Sequence, residues 1–181
     1  MNDPTDTVHA NGREGMIAGL LGASVVAVFY LLFDVGVRGE AMITPSVLGE
    51  VLLMRRPDPS LSAVNGTAVG LYTLVHGVAF ILFGMLLTAL AHRSEHSDLA
   101  RYAVVQVFIV FLVFFYGLLA VASSTTRGVF PFWSVLAANL LAATTMGTYL
   151  WKAHPRIRAA ILRNPLGAAR EEGAVTNAPQ A

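Results

Sequence analysis

Cysteine is missing from all 181 residues. With it go disulfides, thiolate metal sites, iron–sulfur clusters and thiol catalysis. Charge is scarce as well. Asp, Glu, Lys and Arg make up 13% of the chain, where soluble domains carry about a quarter. The two signs nearly cancel to a net +1, which supplies no basic field for nucleic acid. Proline interrupts none of the long apolar runs, which counts against the broken mid-membrane helices of transporters. No Walker loop, HExxH or nucleophile-elbow motif occurs. No catalytic residue is therefore expected, and an enzyme is the less favoured class.

What the chain has in quantity is apolar surface, 55% of its residues. It is gathered into four long runs, at about 15–37, 66–91, 100–123 and 129–151. Each is long enough for a bilayer, which takes about 20 residues at 1.5 Å rise. The expected fold is all-α, an antiparallel bundle of four transmembrane helices spanning residues 15–154. Residues 1–14 are polar and rich in turn formers and read as a mobile tail.

The run at 66–91 contains no Asp, Glu, Lys or Arg, and its one imidazole is His76. Small residues recur through it every seven positions: Ala63, Gly70, Gly77, Gly84 and Ala91. That spacing marks a face for close helix packing, so this helix is expected to be the hub. Gly15, Gly19 and Ala23 in the first run, four apart, form a second small-residue seam.

Between the first two spans, Thr44–Pro45 followed by SVLGEVLLMRR has a cap, a proline at the first helical position and a short apolar helix. It is too short to span and is expected at the interface. Asn65-Gly66-Thr67 matches a glycosylation sequon but reads as a cap for the second span. After that span, His92 and His96 are four apart, with Glu95 and Asp98 close by. A solvated turn is the plainer reading of this pair, and no metal site is expected. Phe108, Phe111 and Phe115 form an aromatic stripe in the third span. Phe130, Phe132 and Trp133 at one end of the fourth, with Tyr149 and Trp151 at the other, suit the two membrane interfaces. Residues 155–163, with Arg156, Arg158 and Arg163 against Ile157, Ile161 and Leu162, read as a basic interfacial helix. Residues 164–181 read as a disordered tail.

Of the 12 lysines and arginines, Arg38, Arg55, Arg56 and Arg127 fall on one side and the other eight on the side of the termini. The positive-inside rule then puts both termini in the cytoplasm of a cell membrane, most simply a bacterial inner membrane.

Counting inward from the outer ends brings His76, Asn139, Tyr116 and Tyr30 to one depth, roughly 10–14 Å below the interface. Buried polar groups need partners in hydrocarbon. A polar layer in which His76, Asn139 and Tyr116 hydrogen-bond near Tyr30 is therefore expected, either as register-fixing glue or as a ligand site. Asp34 is a candidate proton or cation relay, its plainer role being a headgroup-level residue that reaches water. No cofactor is required. A quinone remains open, and a bis-histidine haem would need a second imidazole from another copy or subunit. The functional expectation is an accessory subunit of a membrane complex, its partners being lipid, other subunits or its own copies. The rival is a binder of a quinone-like or lipid-like small molecule.

Overall fold

The long first helix, α1, runs from Pro4 to Phe33 and passes into a π-helical turn at Asp34–Arg38. It begins well before Gly15, through the stretch expected as a tail. Two effects account for this: each residue added to a nucleated helix gains a hydrogen bond, and Pro4 suits a first helical position. Gly39 ends the turn in the left-handed region at φ 75°. The short helix α2, Ile43–Leu48, follows and continues as a second π-helical turn, Gly49–Leu53. Next come α3, Gly66–Ser94, and α4, Phe132–Ala153. This computed structural model describes residues 4–56, 58–94, 109 and 130–155. They are all-helical, with no strand among them.

Among the described residues two helical stretches are long and apolar enough to cross a membrane, Gly12–Arg38 and Gly66–His92, each of 27 residues. At 1.5 Å per residue each is about 40 Å long, more than a hydrocarbon core of about 30 Å. The helix α4 coincides with most of the fourth expected run, but Ser134, Asn139, Thr144 and Thr145 make it less apolar. The third expected span, with Tyr116 and the aromatic stripe, lies outside the described residues apart from Ile109. So do His96 and the basic helix at 155–163 apart from Pro155.

The hub among the described helices is α1, not α3. It packs along α3 on one face and along α4 on another, whereas α3 and α4 scarcely meet. The shared core holds Ala18, Val26, Tyr30 and Phe33 of α1, Phe80, Phe83 and Leu87 of α3, and Ala138, Ala142 and Met146 of α4. The small-residue stripe on α3 explains the difference. A straight helix drifts about 20° per seven residues, so a strict seven-residue stripe rotates off any one contact. Gly84 and Ala91 are buried, but no described atom lies within 4 Å of a Cβ built on Gly70 or Gly77. At Gly84 the backbones of α1 and α3 touch. A Cβ there would press into the Gly15 carbonyl oxygen and lie 2.5 Å from the Gly19 nitrogen. Gly15 and Gly19 thus form a seam as their spacing predicts, with Gly84 as its counterpart.

The helix α2 is folded down against α3, with Ile43, Val47 and Leu48 buried. Gly49 is pressed so closely on Ala68 that a side chain would collide with its backbone. Asn65 caps α3, its Oδ1 accepting from the N–H groups of Thr67 and Ala68 at 3.1 and 3.2 Å. Thr44 does not cap α2. The preceding residue is Met42 in the left-handed region, and the Thr44 side chain is used elsewhere.

Candidate functional site

Tyr30 and Asp34 are four residues apart and Val26 is four before Tyr30, so all three lie on one face of α1. Tyr72 and His76 have the same spacing on α3. These two faces part above Phe80, and α2 closes the gap with Met42, Thr44 and Pro45. The result is a cavity of about 210 Å³, lined also by Ala27, Val28, Leu31 and Thr73. Its walls are mostly apolar. Val28, Met42 and Thr73 on its rim are exposed, so it opens at the side of the bundle.

His76 forms part of the floor. Its ring stacks on Tyr72, centroids 5.5 Å apart, and tilts against Phe80 at 4.7 Å. Nε2 lies 3.3 Å from the Ala23 carbonyl oxygen. A carbonyl only accepts, so Nε2 carries the proton and Nδ1 is left with a lone pair. This bond ties α3 to α1 where the cavity begins.

Asp34 closes the cavity at the end next to α2. Its side chain is fully buried, and both oxygens are engaged. Oδ2 accepts from the Thr44 backbone N–H at 2.7 Å, and Oδ1 accepts from the Thr44 hydroxyl at 2.7 Å. Arg38 Nη1, at 3.0 Å from Oδ1, neutralises the charge. Arg38 also reaches Thr44 Oγ1 at 3.2 Å. Its guanidinium carbon lies 5.5 Å from the ring centres of Phe33 and Phe130. Asp34 therefore does not reach water at the headgroup level. It fastens α2 to the end of α1 and so holds the cavity's roof.

A second carboxylate fastens the other end of α2. Glu50 is buried and accepts from Asn65 Nδ2 at 2.7 Å, from the Ser60 N–H at 3.2 Å and from Arg56 at 3.3 Å. The Asn65 bond, followed by the Ser60 and Arg56 contacts, outweighs burial and holds this carboxyl below its ordinary value of 4.5. The Asn65 N–H also donates to the Ser46 hydroxyl at 2.9 Å. Both ends of the roof are thus tied by charge-assisted bonds.

The polar layer expected from depth comes together only in part. His76 and Tyr30 share the cavity. Asn139 does not join them: its amide donates to the Val135 carbonyl of its own helix at 2.9 Å, and it is buried. Asn139 turns its amide back onto its own helix, and α3 and α4 come close at few places. Tyr116 lies outside the described residues. Two lining residues, Tyr72 and Thr73, are not singled out by the sequence, and Thr44 is singled out only as a helix cap. The i, i+4 spacing of Tyr72 to His76 was the available signal.

Comparison with known proteins finds no matching family model, no similar curated protein and no similar solved structure.

Proposed function

We propose that this is a small integral membrane protein that binds a compact, largely apolar ligand beside His76. The observation that carries this is the cavity between α1 and α3, roofed by α2 and lined by Tyr30, Tyr72, Thr73 and His76. At about 210 Å³ it exceeds a void of about 150 Å³ that holds a benzene ring. It falls short of the roughly 300–1,000 Å³ of pockets that enclose a whole drug-sized ligand. A substituted ring with one or two carbonyl oxygens, such as a quinone head, matches that size. Hydroxyls of Tyr30, Tyr72 and Thr73 are donors for such oxygens, and a tail would leave through the side opening. In this reading the described helices belong to a four-span bundle in a cell membrane, with both termini cytoplasmic. Asp34 serves as the clasp of the roof rather than as a relay.

The test is binding of a short-chain benzoquinone to the full chain in lipid nanodiscs. Saturable binding is expected for the wild type. Tyr72→Phe, which removes one of the hydroxyl donors, should weaken it by about tenfold, and Thr73→Phe should abolish it by filling the space. Equal binding to wild type and Thr73→Phe would remove the cavity from consideration.

A second reading, as an accessory subunit, is favoured by Gly70 and Gly77, whose helix face has no described neighbour. Small residues of that kind admit a closely packed helix. Native mass spectrometry of gently purified material separates the two: a retained small molecule supports the binder, a retained protein the subunit.

A further inference from the structure

At the opposite end of the bundle from the cavity, three helices bring together residues that are far apart in sequence. Glu14 comes from the early part of α1, His92 from the last turns of α3, and His154 directly follows α4. Their donor atoms all lie within 4.8 Å of one another. Glu14 Oε2 is 3.3 Å from His154 Nε2 and 4.0 Å from His92 Nε2. The two imidazoles meet edge to face, with centroids 4.5 Å apart.

We propose that Glu14, His92 and His154 form a binding site for one divalent transition-metal ion of the zinc class. Two imidazoles and a carboxylate, without thiolate, are a borderline donor set that suits zinc and its neighbours rather than calcium or magnesium. Tetrahedral zinc with bonds of about 2.0–2.2 Å holds its donors about 3.3 Å apart. The Glu14–His154 pair already has that spacing. His92, which is about one-third exposed, needs to approach by up to about 1.5 Å, a side-chain adjustment.

Two further observations point to a ligand. The His154 side chain is 8% exposed, and its Nε2, aimed at the cluster, is buried with no hydrogen-bond partner. Such a nitrogen is costly to leave unmatched, and a metal ion would match it. His92 is also prepared for ligation. Its Nδ1 lies 2.9 Å from the Thr88 carbonyl oxygen, so Nδ1 carries the proton and Nε2 keeps its lone pair toward the cluster. A backbone carbonyl in that role orients metal-binding imidazoles. The ion would cross-link α1, α3 and α4 at one face of the bundle, the two latter helices having almost no other contact.

The experiment uses tag-free full-length protein in nanodiscs, stripped with chelator and titrated with Zn²⁺ and Co²⁺. One equivalent should bind, with the intense visible absorption of four-coordinate Co²⁺. His92→Ala, His154→Ala and Glu14→Gln should each weaken binding by more than about 100-fold, beyond the loss expected for an outer-shell partner. His9→Ala and His96→Ala should leave it unchanged. His154→Leu preserves the buried volume, and zinc should raise the unfolding midpoint of the wild type but not of this variant. No saturable binding, undiminished binding by His154→Ala, or only the weak absorption of octahedral Co²⁺ would each overturn the assignment.

Discussion

The two ends of this bundle handle buried polar groups in opposite ways. At the α2 end, Asp34 and Glu50 are buried, and each has an arginine and a backbone N–H within bonding distance. At the other end, His154 is also buried, yet its Nε2 makes no hydrogen bond, and the acid 3.3 Å from it, Glu14, is shared with a second imidazole. A satisfied buried charge fastens structure. An unmatched buried donor or acceptor of comparable cost is a reason to look for what would complete it. The contrast separates a clasp from a receptor with the same residue types.

That contrast can be broken most severely at Asp34. Asp34→Ala removes the acceptor of the Thr44 N–H and the carboxylate that pairs with Arg38. Removing one partner of a buried pair costs about 3–5 kcal/mol, to be read from reversible unfolding in bicelles. A loss below about 1 kcal/mol would mean the roof is held by packing alone. Glu50 gives a graded version of the same test. Its carboxyl lies below 4.5 in the folded chain. The stability it contributes is therefore complete above 4.5 and fades as pH falls through the lowered value. The wild type should lose stability over that acid range, and Glu50→Gln should lack that part of the loss. Identical profiles would show that the Asn65 bond does not depend on the charge. The smallest effect belongs to the other end. Without metal, His154→Leu replaces an unmatched polar ring by apolar bulk and should stabilise by about 1 kcal/mol. A large destabilisation would mean that the histidine is already bonded in the metal-free protein.

The helices themselves were legible because apolar runs of bilayer length have few other fates. The Asn65 cap and the Gly15–Gly19 seam followed from local chemistry. Rotation about each helix axis was not legible. Asn139 matched His76 in depth, but its amide turns back onto its own helix, and depth alone carries no azimuth. The assignment of α3 as hub failed for a related reason, since its stripe repeats every seven residues while the helix turns every 3.6. The Glu14, His92 and His154 cluster was missed because the count was made from one side only. His92 and His154 lie at helix ends on the other face and Glu14 just before the first expected span, so the same depth argument applied there groups them. His92 was instead compared with its sequence neighbour His96.

The contact of Gly84 with Gly15 and Gly19 has a consequence for the far end of the pair. Two rods that touch backbone to backbone at one place act as scissors, and the blades spread with distance from the pivot. Val26, Tyr30 and Asp34 lie roughly 10–30 Å along α1 from that pivot, where the spread is wide enough to leave room for a guest. A methyl group at Gly84 would push the rivet open by an ångström or so. The aperture beside His76 would then change in width without any of its own walls being altered.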